Sequence, residues 1–179
     1  GLNFKVEYEN YNSTNYQLNI EKDNNFKYLD MNNINNVFSS NNIIFIGEPQ
    51  DNKSRYLVDS LNNIEKDYKN DIYYYNYKDN NPKYEIKDEK LVKTSDGTKL
   101  YNEMLEKLND YITTLNVEKE NQVYKTEEKV FSTPAVIFIL DKKIYGYYDD
   151  FEFDTSSNNI KLTDQYQKLL IEGFEKMSK

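Results

Sequence analysis

The chain has no cysteine, no histidine and no tryptophan. Without cysteine there are no disulfides, no thiolate nucleophile and no iron–sulfur ligands. Without histidine there is no imidazole general base, and the two absences together remove the usual zinc and copper ligand sets. Arginine is represented by Arg55 alone, so bidentate recognition of phosphate or guanine lacks its usual side chain. Positive charge is in deficit: 23 Lys and Arg stand against 31 Asp and Glu, a formal net charge of −8. That balance disfavours nucleic acid and anionic lipid as partners. No run of about 18 apolar residues occurs, so the sequence contains no membrane-spanning stretch.

What is present is a chain of 179 residues rich in Asn, Lys, Ile and Tyr, long enough to bury a core as one domain. The 18 tyrosines are read first as compositional bias, with a Tyr-rich recognition surface as the alternative. Residues 1–25 are polar and read as an N-terminal extension, with a strand-like run at Tyr16–Ile20. Phe26–Leu29 is also strand-like, and Asp30 is placed to cap a short helix through Phe38 with Ile34, Val37 and Phe38 on its apolar side. Asn42–Gly47 (NIIFIG) has the continuous apolar character of a buried strand. Leu57, Leu61, Ile64 and Tyr68 then recur at helical spacing. Asp71–Lys78 returns to strand composition, its tyrosines expected to point to alternate faces of a covered sheet.

Asn80–Thr98 reads as a polar connection, Leu100–Leu115 as a helix, and Asn116–Lys129 as a loop. Ala135–Leu140 (AVIFIL) is a second buried strand, turning at Asp141-Lys142 into a hairpin with Lys143–Tyr148. Thr163 is placed to cap a last helix carrying Tyr166, Leu169, Leu170, Phe174 and Met177 inward. Strand–helix–strand near the start implies a parallel pair, and the later hairpin adds antiparallel strands. The expected class is α/β: a mixed central sheet with helices on both faces.

Two local patterns carry a resemblance. IIFIGEPQDNKSRYLVDSL at 43–61 is a strand running through a loop into a long helix, and Ser132-Thr133-Pro134-Ala135-Val136 leads into the second buried strand. Order and patterns resemble the thioredoxin-like fold, and more narrowly the thioredoxin-like lipoproteins of low-GC Gram-positive bacteria. The likeness spans roughly residues 26–178. It implies a single thioredoxin-like domain over 26–179 with a helical insertion at about 80–129, and a cis-proline turn at Thr133-Pro134 facing the helix start. Asp51, Asn52, Lys53 and Ser54 occupy the positions of the family's Cys-x-x-Cys motif. A thiolate there is activated by the helix N-terminus. Asp51 keeps only the capping half of that role.

These readings predict a redox-inactive, protein- or peptide-binding module whose contact face is Asp51, Asn52, Lys53, Ser54, Thr133 and Pro134. No cofactor is expected, and the partner would be a protein or peptide of the bacterial cell envelope. The lipoprotein resemblance implies an extracytoplasmic, surface-anchored protein, with the anchor outside this sequence. The fold-only reading of Pro134, as a residue shaping a loop, stands beside the binding one. The competing class is an enzyme: an oxidoreductase relative whose cysteines were replaced, or an oxygen-ligand metal enzyme using Asp149, Asp150 and Asp154. A solvated acidic face is the plainer reading of those three. Ser54 as a nucleophile beside Lys53 is disfavoured, because adjacent helical residues do not face each other.

Overall fold

The computed structural model describes residues 1–11 and 16–178. From the N-terminus, α1 (Leu2–Glu9) is followed by β1 (Phe26–Tyr28), α2 (Ile34–Ser39), β2 (Asn42–Gly47), α3 (Asn52–Tyr68) and β3 (Ile72–Asn76). A second stretch carries α4 (Tyr77–Asn80), the hairpin strands β4 (Lys83–Lys87) and β5 (Lys90–Ser95), α5 (Lys99–Leu108), and strands β6 (Thr113–Lys119) and β7 (Gln122–Val130). The chain ends with β8 (Ala135–Leu140), β9 (Lys143–Tyr148), the short strands β10 (Phe153–Asp154) and β11 (Lys161–Leu162), and α6 (Asp164–Met177). It divides into two compact units, Gly1–Asn76 with 133–179, and Tyr77–Ser132.

The first unit is built on a five-stranded mixed sheet in the order β1-β3-β2-β8-β9. β1, β3 and β2 run parallel, and β8 and β9 are antiparallel to their neighbours. The apolar runs explain the centre: Ile43 to Ile46 and Ala135 to Ile139 are all fully buried, because residues on both faces of these strands are covered. One face presents Ile43, Phe45, Tyr74, Val136 and Phe138 to a cluster that includes Leu57, Val58 and Leu61 of α3 and Leu170 and Phe174 of α6. Gly173 lets α6 come close, since a Cβ there would meet the Phe138 ring at 2.3 Å. Tyr74 and Tyr75 are both fully buried, on opposite faces as strand alternation requires.

Within residues 1–25, set apart in the sequence as an extension, Phe4, Tyr8, Leu18 and Ile20 contribute to this same core. Phe4 and Tyr8, one helical turn apart on α1, are fully buried. Phe4 stacks on Phe26 at 4.0 Å between centroids and meets Tyr74 edge-on at 5.1 Å. Glu7 anchors the helix by accepting from Tyr28 Oη, from Tyr74 Oη at 3.2 Å and from Asn76 Nδ2 at 2.6 Å. Tyr16–Ile20 is not a strand; its Leu18 and Ile20 are buried without sheet pairing. The short helix after β1 begins later than Asp30: α2 is preceded by Asn33, while the Asp30 carboxylate accepts from the N–H groups of Asn32 and Asn33. Phe38 is only half-buried on it.

The unit at 77–132 corrects the expectation of a helical insertion. The polar connection after β3 contains the β4–β5 hairpin, and the supposed loop after α5 is the β6–β7 hairpin. α5 ends at Leu108, followed by a 3-10 turn at Asn109–Tyr111, and Leu115 already belongs to β6. Within this unit Thr98 caps α5 by accepting from Tyr101 N at 3.2 Å, and Tyr101, Met104 and Leu108 are buried. Glu128 of β7 accepts from Tyr84 of β4 and pairs with Lys93 of β5 at 3.1 Å.

Candidate functional site

β2 delivers the chain to the start of α3 through a tight loop. Asp51 is the N-cap of α3: its Oδ2 accepts from Ser54 N at 3.0 Å and from Ser54 Oγ at 2.7 Å. This satisfies one of the helix's unpaired N–H groups and sets a carboxylate against the positive end of the helix dipole. The loop is laced further by Asp51 N donating to Glu48 O at 3.2 Å and Glu48 N donating to Ser54 Oγ at 3.3 Å. Asn52 and Lys53 are exposed, Asp51 is half-buried, and Ser54 is fully buried.

The Thr133–Pro134 peptide bond is cis. Ile46 of β2 pairs with Ala135 of β8, so the antiparallel register sets Pro134 against Gly47, the residue that opens the loop to Asp51. All six residues singled out in the sequence therefore belong to one end of the sheet. They are not equally available: Thr133 is half-buried, and Pro134, like Ser54, is buried. The exposed part of the face is Asn52 and Lys53. The inaccessible part is the Asp51–Ser54 cap and the proline ring, which corrects the expectation that all six side chains form a contact surface.

Chemically the cap is closed. The Ser54 hydroxyl is spent on the Asp51 carboxylate and reaches no solvent, so it is not presented to a substrate. Comparison with known proteins returned no matching family model, no matching curated protein and no matching solved structure.

Two features were not legible as functional in the sequence. Arg55, noted there only as the single arginine, is fully buried and works as a clamp. Its Nη1 donates to Tyr8 O at 2.8 Å and Pro49 O at 3.1 Å, and its Nε donates to Tyr16 O at 3.0 Å. The guanidinium thus ties the end of α1 and the residues before β1 to the loop that carries Asp51. Burial among carbonyls rather than carboxylates holds its proton affinity below the ordinary value. Glu65, also on α3, is buried, with both carboxylate oxygens accepting from Asn25 N at 3.2 and 3.1 Å. Burial is the main cause that pushes its carboxyl up to about 7; the Asn25 N–H opposes, Glu21 and Asp71 add, and Lys66 opposes.

The acidic run after β9 does not gather into a metal centre. Asp149, Asp150, Glu152 and Asp154 are all exposed, and Asp154 accepts from Ser156 N at 2.9 Å in a local turn. Among the described residues no three acidic side chains stand in an arrangement that could hold a metal ion. Phe151 is buried and Phe153 half-buried, so the aromatic residues between the acids pack inward.

Proposed function

We propose that the chain is a redox-inactive thioredoxin-like domain that binds a protein or peptide partner at the bacterial cell envelope. The observation that carries this reading is the pairing of two elements at one end of the sheet. A capped helix start at Asp51 follows a buried parallel strand, and a cis Thr133–Pro134 bond leads into the antiparallel strand beside it. The sheet order β1-β3-β2-β8-β9, with its parallel and antiparallel senses, supports the thioredoxin-like reading. In that fold the same end aims a reactive sulfur at an extended peptide. Here the sulfur is replaced by a carboxylate that caps the helix, which leaves recognition without exchange chemistry. The surface location comes from the lipoprotein resemblance alone.

Two measurements test the reading. Asp51→Cys with Ser54→Cys is expected to form an intrachain disulfide on mild oxidation and to gain insulin-reducing activity. A double variant that folds but stays fully reduced removes the thioredoxin kinship. Peptides enriched by phage display on the unaltered protein are expected to lose affinity for Lys53→Glu and Thr133→Lys. Undiminished affinity in both variants removes the binding face.

A further inference from the structure

α3 ends beside the segment that carries the chain into β1. There a hollow of about 440 Å³ is lined by Glu21, Asp23 and Asn25 from the segment and by Glu65, Lys66 and Lys69 from α3 and its C-cap. Residues 21–23 are exposed and 24–25 half-buried, outside any helix or strand. Two ties hold the segment to α3. Glu21 pairs with Lys66 at 2.8 Å and accepts from Asn62 Nδ2 at 3.3 Å. Glu65 accepts the Asn25 N–H on both oxygens, at 3.2 and 3.1 Å. Asn25 also leads into the pairing of β1 with β3, since its carbonyl accepts from Ile72 N at 2.9 Å. The first tie is exposed and charged at both ends. The second is enclosed, and no ion pair among the described residues involves Glu65.

We propose that Glu65 is a pH-operated latch on residues 21–25: it holds Asn25 while its carboxyl is protonated, and local opening of the segment becomes more frequent as the carboxyl ionises. The geometry supplies the bias. A protonated carboxyl carries no charge to solvate and keeps an oxygen for the Asn25 N–H. An ionised one, enclosed and without a cation partner, lacks water that it regains when the segment moves away. The surrounding charges do not offset this. Glu21 and Asp71 repel a carboxylate here, and Lys66, which attracts it, is engaged by Glu21. Asp71 is itself paired with Lys27 at 2.8 Å, and Asp23 and Lys69 line the hollow with opposite charges. Between the ordinary carboxylate range and about pH 7, a bound proton therefore favours the closed form over any form in which Glu65 is hydrated. Opening the segment breaks the contacts of an exposed turn, whereas global unfolding breaks the core, so the local route costs less. Glu65 lies about 20 Å along α3 from the Asp51 cap, so the latch and the proposed contact face stand independently.

The test is amide hydrogen exchange on the full chain between pH 4.5 and 8, read by NMR, with each rate divided by the intrinsic rate at that pH. Protection of the Asn25 amide is expected to fall about ten- to a hundredfold across the range in the unaltered protein, and to stay level in Glu65→Gln. Low urea promotes global unfolding; it is expected to speed the β8 amides and leave Asn25 unchanged, which marks the opening as local. Glu21→Gln, an exposed change that frees Lys66, is expected to move the midpoint of the loss to lower pH. Level protection at Asn25 in the unaltered protein, the same fall in folded Glu65→Gln, or exchange at Asn25 that matches β8 in both rate and urea dependence overturns the proposal. A Glu65 side-chain carboxyl whose chemical shift titrates in the ordinary glutamate range also overturns it.

Discussion

A single buried carboxyl gives this protein a pH dependence that its composition does not announce. Glu65 is 3% exposed, and its folded-state carboxyl titrates at about 7, against roughly 4.3 for an unperturbed glutamate. The folded form therefore holds the proton more tightly than the unfolded chain. Its contribution to stability is complete below the unfolded value and is lost as pH rises toward 7. Glu65→Gln keeps an acceptor for Asn25 N and removes the titration. The stability of the unaltered protein relative to this variant is expected to fall by up to about 3 kcal/mol between pH 4.5 and 8. Urea unfolding of both proteins across that range measures it, and parallel pH profiles would contradict it. Asp51 shows the opposite kind of residue, one whose role is readable from type and position. An aspartate just before a helical repeat is a cap, and it is one here. Arg55 was not readable, because nothing local distinguishes a solvated arginine from one enclosed by carbonyls of its own loop and of two distant stretches of chain.

At the scale of elements, the contact between α6 and β8 is set by a missing side chain. Gly173 faces the fully buried ring of Phe138, and an added Cβ would approach it to 2.3 Å. Ala is the better helix former by about 1 kcal/mol, but overpacking a core costs about 1–3 kcal/mol. Gly173→Ala is expected to destabilise the protein, by up to about 2 kcal/mol net, in thermal or urea unfolding; a gain in stability would show that the ring shifts freely. The buried strands β2 and β8 were legible because apolar runs of five or six residues between turn signals have few other uses. The β4–β5 and β6–β7 hairpins were not. Their turns place Asp88-Glu89 and Glu120-Asn121 at positive φ, between 50° and 64°, without the glycine that usually marks such a turn. Their strands are rich in Lys, Glu and Thr and mostly exposed, so the apolar alternation that signals a strand is faint. Asp141-Lys142 uses the same glycine-free turn but sits between two apolar strands, which made that hairpin readable.

For the whole molecule, the two units differ in how much they bury. Ile43 to Ile46 and Ala135 to Ile139 are fully enclosed, whereas β4 to β7 carry mostly exposed side chains. Amide hydrogen exchange follows local opening, which is rarest where burial is deepest. The amides of β2 and β8 are expected to be the slowest to exchange, and those of β4 to β7 faster by orders of magnitude. Equal protection across both units would show that they open as one.

The sequence alone determined that this chain carries no thiol or imidazole side chain and where its central strands lie, because both depend on residue type and short-range pattern. It also marked Asp51 and Pro134 as residues to watch, since caps and X-Pro turns are local devices. Only the tertiary structure decided that Phe4 and Tyr8 belong to the core, that Pro134 and Ser54 are enclosed, and that Arg55 is a clamp. Each of these depends on what distant segments bring against a side chain, and burial of that kind has no signature in the neighbouring residues.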